Sequence, residues 1–283
     1  MINLSGHLID AAQLHPLQQA HAALAVDCRH SLADPAFGRN AYLHGHIPGA
    51  VFAHIDDDLS GPMTGRNGRH PLPDAERLAA RLAELGVNTD HLVVAYDDAG
   101  SMFAARLWWL LRWLGHERVA VLNGGLQAWQ AAGFPLEAGR VALPPGDFRR
   151  SAAAMHTVDA SDVQGALESE SMLVVDARSP DRFRGENETL DPVGGHIPGA
   201  VNRFFRDNLD AQGHFHTPAH LREQWQAVLG PRQANEIVHQ CGSGVTACHN
   251  LLAMEIAGLS GSRLYPGSWS EWCADPARPV ARG

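Results

Sequence analysis

One of the four cysteines lies in a glycine-containing loop suited to nucleophilic chemistry on an anion. Residues 241–246 have the sequence Cys-Gly-Ser-Gly-Val-Thr and follow a short apolar run at residues 236–240. A thiolate is a strong nucleophile, and glycines let successive backbone N–H groups converge on one point as a nest for negative charge. The pattern therefore predicts Cys241 as a catalytic residue. The predicted substrate-binding residues of this loop are Gly242, Gly244, Val245 and Thr246.

The backbone of such a loop has enough electrostatic capacity to ionise a thiol. Lowering the pKa of a thiol from about 8.5 to roughly 6.5 requires about 2.7 kcal/mol. A helix N-terminus supplies up to ~2 kcal/mol, and each N–H bond to a charged acceptor supplies about 1.5–3 kcal/mol. Between Cys241 and Arg263 the only basic residue is His249. We therefore expect the loop amides to favour the thiolate without a neighbouring cation.

Residue spacing argues against two other kinds of site. A cysteine phosphatase needs an arginine six positions after its cysteine to clamp the phosphate, and this chain has Ala247 there. The pairs His44-x-His46 and His214-x-His216 have no cysteine or carboxylate at ligand spacing. No metal site is therefore predicted.

The chain contains two related halves. The sequence Gly-His-Ile-Pro-Gly-Ala-Val occurs at residues 45–51 and again at residues 195–201, and Asp-x-Arg occurs at residues 27–29 and 176–178. A motif present in both halves cannot by itself mark a site that exists in only one of them. We interpret the first motif as a rigid turn and the second as local ion pairs at strand ends.

Each half follows the strand-turn-helix pattern of an α/β domain with a parallel sheet. The predicted strands and the helices that follow them are residues 92–96 and 102–114 in the first half and residues 236–240 and 245–257 in the second. The predicted fold class is α/β, with two tandem domains at residues 1–143 and 144–283, each a parallel sheet flanked by helices. The proline-containing stretch 134–157 is interpreted as the linker.

The two halves differ where a predicted strand passes into its helix. Asp97 stands in the first half where the second half has Cys241. This loop leaves the carboxyl end of a parallel strand, which is the usual place for ligands in open α/β sheets. Chemistry is therefore expected in the second half only.

The complete pattern resembles the tandem-domain rhodaneses. The resemblance rests on the cysteine loop at residues 241–247, on the two Gly-His-Ile-Pro-Gly-Ala repeats, and on Leu-Tyr-Pro-Gly-Ser-Trp-Ser-Glu-Trp at residues 264–272. In that family the amino-terminal domain is catalytically silent, and the carboxy-terminal cysteine carries a persulfide between donor and acceptor without a metal or organic cofactor. The resemblance implies a sulfurtransferase built of two rhodanese-like domains.

Within this family, the neutral residues Gly242 and Ser243 resemble the 3-mercaptopyruvate branch, because thiosulfate-preferring members place arginine and lysine in the loop. In that branch the serine is linked to a histidine and an aspartate, which correspond to His70 and Asp56. These side chains would polarise the donor carbonyl while the carbon–sulfur bond breaks. The alternatives are a thiosulfate:cyanide sulfurtransferase and a non-enzymatic persulfide carrier.

The resemblance also implies an arginine that binds the donor carboxylate with two parallel hydrogen bonds. The family position falls on Arg182, before Phe-x-Gly. A second arginine usually follows nine residues later, where this chain has Asp191. Arg184 is the candidate substitute, so Arg182 and Arg184 are the predicted donor-binding arginines.

The composition excludes several classes of function. The 22 basic and 31 acidic residues give a formal net charge of -9, which disfavours nucleic acid and anionic membranes as partners. All 22 of these positively charged residues are arginine and none is lysine, so lysine Schiff bases and Walker-type lysines are excluded. Cys248 and Cys273 are interpreted as packing residues. No signal segment is apparent, and we expect a cytoplasmic enzyme whose partners are a small sulfur donor and a thiol or cyanide acceptor, including a thioredoxin-like protein.

Overall fold

The computed structural model describes residues 6–169 and 171–283. These residues form two compact units. The first comprises the chain up to Gly61, Pro73–Ala154 and Ala211–Phe215, and the second comprises Pro62–Leu72, Met155–Asp210 and His216–Gly283. Each unit thus includes a short segment that interrupts the sequence of the other. The domain boundary after residue 143 stays a prediction.

The first unit is a five-stranded parallel sheet flanked by helices. The strands are β1 (Leu8–Ile9), β2 (Ala23–Asp27), β3 (Val51–Phe52), β4 (Leu92–Tyr96) and β5 (Val119–Leu122), in the order β1-β5-β4-β2-β3. The helices are α1 (Ala11–Gln19), α2 (Phe37–His44), α3 (Ala75–Glu84), α4 (Ala104–Trp113) and α5 (Gly125–Ala131). Every residue of β2 and β4 is buried, as expected for central strands covered on both faces.

The second unit is a four-stranded parallel sheet in the order β7-β6-β8-β9. Its strands are β6 (Leu173–Asp176), β7 (Val201–Asn202), β8 (Ile237–Gln240) and β9 (Arg263–Leu264). Its helices are α6 (Ala160–Ser169), α7 (Pro180–Arg184), α8 (Pro218–Leu229), α9 (Thr246–Ile256) and α10 (Ser268–Trp272), with 3₁₀ turns at Phe205–Asn208 and Ala234–Glu236. The predicted α/β class with two tandem parallel sheets is confirmed. No helix within residues 6–169 and 171–283 combines the length and apolar character needed to cross a bilayer.

Three predicted elements begin later than the sequence pattern indicates, and one of them, the helix predicted from residue 245, starts at Thr246. The helix predicted from residue 102 starts at Ala104, because the preceding loop turns its N–H groups toward the side chain of Asp97. The strand predicted from Glu236 starts one residue later. Here Glu236 closes a 3₁₀ turn, and its carboxylate accepts the N–H of Gln233 at 2.6 Å.

The two repeated motifs act together in the structure. At the end of β2, Arg29 binds the Asp27 carboxylate at 2.6 Å and donates to the carbonyl oxygen of Gly45 at 2.7 Å. The second unit repeats both contacts, with 2.7 Å distances, in Arg178, Asp176 and Gly195. Each buried ion pair therefore ties the Gly-His-Ile-Pro turn to the neighbouring strand end. The predicted local ion pairs are confirmed.

Candidate active site

Cys241 is the first residue after β8, a strand flanked by β6 and β9. Its N–H donates to Ser268 Oγ at 3.1 Å, and its carbonyl oxygen accepts the N–H of Trp269 at 3.0 Å. The cysteine backbone is thereby fixed against α10, and the residue is 2% exposed. Val245, at the N-cap of α9, is buried, and Thr246 is the first residue of that helix. The carboxyl end of a central strand and a helix N-terminus thus meet at the thiol.

A backbone amide of the loop reaches the thiol, as the sequence predicted. The N–H of Gly244 donates to Sγ of Cys241 at 3.1 Å. Gly244 has a φ of 77°, and a Cβ at this position would overlap the carbonyl oxygen of Pro266. A residue with a side chain is therefore disfavoured here on two grounds, the left-handed backbone and the close approach of residue 266.

The equivalent loop of the first unit shows how many amides such a turn can offer. The carboxylate of Asp97 accepts four backbone N–H bonds of 2.8–2.9 Å. The donors are Ala99, Ser101, Phe103 and Ala104. Burial raises the pKa of Asp97, and the four N–H groups oppose that rise. The turn therefore encloses an acidic side chain where the second unit has a thiol.

The structure brings Ser243 and His70 together. Oγ of Ser243 lies 2.7 Å from Nδ1 of His70, and both residues are more than nine-tenths buried. This distance corresponds to a good hydrogen bond, in which the histidine tautomer determines the donor. The serine hydroxyl is thus held in a fixed orientation two residues after the cysteine.

The segment Pro62–Leu72 delivers His70 to this place by packing on the residues that begin α10. Gly68 has a φ of 82°, and a Cβ there would lie 2.6 Å from the carbonyl oxygen of Gly267. The N–H of Arg69 donates to Ser270 Oγ at 3.1 Å. A close backbone approach and a hydrogen bond therefore set the position of residues 69 and 70.

Two guanidinium groups lie beside the cysteine loop. A Cβ built on Gly242 would be 2.9 Å from Nη2 of Arg69 and 3.5 Å from Nη2 of Arg182. The stretch between Cys241 and Arg263 does not reveal either guanidinium, because both arginines come from distant parts of the sequence; the expectation that the loop amides favour the thiolate stays a prediction. Sequence reasoning missed Arg69, although it directly precedes the predicted site residue His70.

Carboxylates behind the loop hold these arginines in place. The Arg182 guanidinium donates to Glu188 at 2.8 Å, and Nη1 of Arg178 lies 3.4 Å from the same carboxylate. Burial acts to raise the pKa of Glu188, but the N–H of Leu190 and the charge of Arg182 bring it below its usual range. The Arg178 guanidinium also stacks on the Trp269 ring at 4.8 Å.

Asp191 stands where the family resemblance led us to expect a second arginine. Its carboxylate binds Nη1 of Arg69 and lies 3.6 Å from Nη2 of Arg182. The side chain is only 3% exposed. Burial raises the pKa of Asp191, and the charge of Arg69 opposes this rise. An acidic group thus lies between two cations beside the cysteine loop.

The remaining predicted residues lie elsewhere in their units. The guanidinium of Arg184 pairs with Glu186 at 2.7 Å, with both side chains substantially exposed, so the structure does not add it to the group beside Gly242. Asp56 belongs to the first unit, where its carboxylate lies 3.9 Å from His30 Nε2 and 3.9 Å from His54 Nδ1. Its link to the serine and histidine stays a prediction.

The histidine–aspartate group around Asp56 was not predicted as a metal site. Ligand atoms of His30, His54 and Asp56 lie within 4.8 Å of one another. However, Nε2 of His54 donates to the Pro35 carbonyl at 3.0 Å, and its Nδ1 accepts the N–H of Asp56 at 3.2 Å. Both ring nitrogens of His54 are thus occupied by the protein, which leaves this group poorly suited to a metal ion.

The other cysteines are buried free thiols. Burial raises the pKa of Cys28 well above its usual range and that of Cys273 to about 11. Cys248 lies inside α9, and its Sγ donates to the carbonyl oxygen of Gly244 at 3.3 Å. Cys248 and Cys273 are both buried, and their interpretation as packing residues stays a prediction.

Comparison with known proteins agrees with this architecture. The model of the rhodanese-like domain matches residues 10–132 and residues 159–275. Two such domains, of which only the second has a cysteine at the strand-to-helix turn, define a two-domain sulfurtransferase. The chain belongs to the tandem-domain rhodanese family, as the sequence resemblance indicated.

Relatives cover nearly the whole chain. A Pseudomonas aeruginosa protein named a probable 3-mercaptopyruvate sulfurtransferase is 49% identical over 281 residues, 99% of each chain. The Mycobacterium tuberculosis protein SseB, whose name suggests thiosulfate as its donor, is 38% identical over 98% of this chain and 97% of its own. The structure of 3-mercaptopyruvate sulfurtransferase from Leishmania major matches 96% of this chain and 75% of that chain, with 30% identity and a TM-score of 0.84.

Proposed function

We propose that this sulfurtransferase takes sulfur from 3-mercaptopyruvate and passes it through a persulfide on Cys241 to a thiol or cyanide. The observation that carries the proposal is the 2.7 Å contact between Ser243 Oγ and His70 Nδ1. With the proton on Nδ1 of His70 and Oγ of Ser243 as its acceptor, the single hydroxyl hydrogen of the serine can be donated to a carbonyl oxygen. 3-Mercaptopyruvate has a carbonyl next to its carbon–sulfur bond, whereas thiosulfate has none. The 49% identity to the Pseudomonas aeruginosa relative supports the same donor.

In the first half-reaction, the Cys241 thiolate attacks the donor sulfur. A sulfur–sulfur bond forms as the carbon–sulfur bond breaks, and the electron pair leaves on the enolate of pyruvate. The hydroxyl of Ser243, oriented by His70, donates to the carbonyl oxygen on which negative charge grows. The persulfide S–H gives up its proton, and protonation of the enolate carbon completes pyruvate.

In the second half-reaction, a thiolate or cyanide attacks the outer sulfur of the persulfide. The sulfur–sulfur bond breaks, and Cys241 leaves as the thiolate that began the cycle. The products are an acceptor persulfide or thiocyanate, so no external oxidant or reductant is consumed. The cycle requires no metal or organic cofactor.

The loop amides are suited to the charged persulfide. In the first unit, the carboxylate oxygens of Asp97 lie two bonds beyond Cβ and accept four N–H groups. The outer sulfur of a persulfide on Cys241 also lies two bonds beyond Cβ. We therefore assign the N–H groups of the second loop, including those of Gly244 and of Val245 and Thr246 at the start of α9, to binding this sulfur.

Two further roles complete the proposal. Arg182, beside Gly242, binds the donor carboxylate. Asp56 is assigned the orientation of His70, through the chain of hydrogen bonds that the family resemblance implies. Arg184 is left out, because its guanidinium pairs with Glu186 at the surface.

We also propose that the enzyme works in the cytoplasm, with a small thiol or a thioredoxin-like protein as acceptor. The support comes from the state of the cysteines. All four cysteines are free and buried, which is the state expected in a reducing compartment. A thiol acceptor is abundant there.

The decisive experiment compares kcat/KM for 3-mercaptopyruvate and thiosulfate, with pyruvate and sulfite as the measured products. Cys241→Ser should abolish turnover, and the protein should no longer gain the mass of one sulfur atom when it is incubated with the donor. Cys273→Ser is the matched control and should retain both properties. Ser243→Ala should reduce mercaptopyruvate turnover by about 10²–10³-fold, the effect of losing one donor to a developing oxyanion. Equal losses on both donors would contradict the role given to Ser243.

Thiosulfate is the second candidate donor. The two guanidinium groups beside Gly242 would attract a doubly charged anion, and the Mycobacterium tuberculosis relative carries thiosulfate in its name. A higher kcat/KM for thiosulfate in the same comparison would establish this alternative. A carrier protein would show turnover on neither donor.

A further inference from the structure

Asp191 joins the two cations that flank the cysteine loop. Its carboxylate binds Nη1 of Arg69 and lies 3.6 Å from Nη2 of Arg182, and its side chain is 3% exposed. A buried carboxylate in this place orients both guanidinium groups and reduces their net charge. The orientation of the guanidinium groups favours a donor with one carboxylate, whereas their reduced net charge disfavours a donor with two negative charges.

Each arginine keeps one terminal nitrogen directed at the loop. Nη2 of Arg69 and Nη1 of Arg182 lie 2.9 and 3.7 Å from the position that a Cβ of Gly242 would occupy. Neither nitrogen has a hydrogen-bond acceptor among residues 6–169 and 171–283. The two nitrogens therefore offer N–H groups for the two oxygens of one carboxylate next to Cys241.

The charges around these nitrogens balance. Three arginines and three carboxylates are linked by contacts of 3.6 Å or less, namely Arg69, Arg178, Arg182, Asp176, Glu188 and Asp191. A singly charged donor leaves this cluster with one negative charge, and a doubly charged donor leaves it with two. Because the cluster is largely buried, the second charge is poorly screened by water.

We propose that Asp191 determines donor specificity. It holds Arg69 and Arg182 as a clamp for a single carboxylate, and its own charge cancels one of their two positive charges. Doubly charged donors such as thiosulfate are therefore disfavoured. Arg69 is thereby a donor-binding residue. Asp191 acts through the two arginines and is a positioning residue. This inference rests on the proposed function, because it concerns the donor of the same site.

The first test measures kcat/KM for both donors in Asp191→Asn at constant ionic strength. The ratio of thiosulfate to mercaptopyruvate efficiency should rise by about tenfold, in the range expected for removal of one nearby repulsive charge. Glu186→Gln is the matched control, since Glu186 lies five residues away and its carboxylate pairs with exposed Arg184. A change in the ratio of less than roughly twofold in Asp191→Asn would overturn the proposal.

The second test examines the clamp with a donor that lacks the carboxylate. Arg69→Gln should raise KM for 3-mercaptopyruvate about tenfold more than KM for mercaptoacetone. Arg66→Gln, an exposed arginine three residues earlier, is the control that should change neither. Equal increases on both donors would show that Arg69 does not bind the carboxylate.

A third measurement does not depend on turnover and separates this inference from the proposed function. Pyruvate, with one charge, and sulfate, with two, should each protect Cys241 from alkylation by iodoacetamide. In Asp191→Asn, the protection of Cys241 by sulfate should increase about tenfold relative to its protection by pyruvate. Asp191→Ser, as a second variant, should show the same change. An unchanged preference would overturn the inference even if mercaptopyruvate is the donor, and a changed preference would support it even if it is not.

Discussion

Replacement of Asp97 by asparagine tests whether the strand-to-helix turn of this family is built around an anion. The two oxygens of Asp97 accept two backbone N–H groups each, at 2.8–2.9 Å. The amide side chain of the Asp97→Asn variant would keep one oxygen and would direct its NH₂ group at the other two N–H groups. The substitution preserves the volume of the side chain, so its effect isolates the hydrogen bonds and the charge.

The expected loss of stability follows from those bonds. A buried N–H group without an acceptor costs about 1–3 kcal/mol, so two of them cost about 2–6 kcal/mol. Part of this is offset, because burial raises the pKa of Asp97 and the neutral amide avoids the cost of burying a charge. We expect the free energy of unfolding of the first unit to fall by about 2–4 kcal/mol.

Calorimetry and urea unfolding measure this change. The transition of the first unit should move by about 2–4 °C for each kcal/mol lost. Asp98→Asn is the control, because the Asp98 carboxylate accepts none of these four bonds. A loss below about 0.5 kcal/mol in Asp97→Asn, no larger than that of an ordinary surface substitution, would refute the view that the turn depends on an anionic acceptor.

Two other substitutions probe the second unit. Gly244→Ala should lower the unfolding free energy by more than about 1 kcal/mol and prevent persulfide formation, because φ is 77° and the new Cβ would overlap the carbonyl oxygen of Pro266. Gly165→Ala, at an open position in α6, should instead stabilise by about 0.5–1 kcal/mol, and a neutral effect of both would contradict the argument. Burial lowers the pKa of fully buried His239 to about 3, so protons bind the unfolded chain first and stability falls as pH drops from 6.5 toward 3. His239→Leu should reduce this loss by about 2 kcal/mol in total between pH 7 and 5, measured by urea unfolding, and an unchanged pH dependence would refute it.

The fold could be predicted because buried parallel strands leave a strong local signal. β4 and β8 are short, fully buried and followed at once by polar or glycine-containing turns, so their place in the sheet is apparent from a few residues. The cysteine loop could be located for the same reason, since Cys241 and its glycines are close together in the sequence. A feature can thus be predicted from a short stretch of sequence when the residues that form it are neighbours in the chain.

Arg69, beside the cysteine loop, could not be predicted, because it comes from a distant segment of the chain. Arg69 reaches the loop through the packing of Pro62–Leu72 on the residues that begin α10, and no spacing rule connects position 69 to position 242. Asp191 was recognised as a departure from the family pattern. Its partner was not, because an ion pair between residues 122 positions apart leaves no periodic signal.

The segment Pro62–Leu72 has a consequence for how this protein could evolve. These few residues are encoded within the first half of the chain but fold as part of the unit that carries Cys241. A gene truncated to the second repeat would encode Cys241 without the arginine and histidine at positions 69 and 70. The first repeat is thereby protected from deletion, since losing it would also remove two side chains that lie beside the cysteine loop.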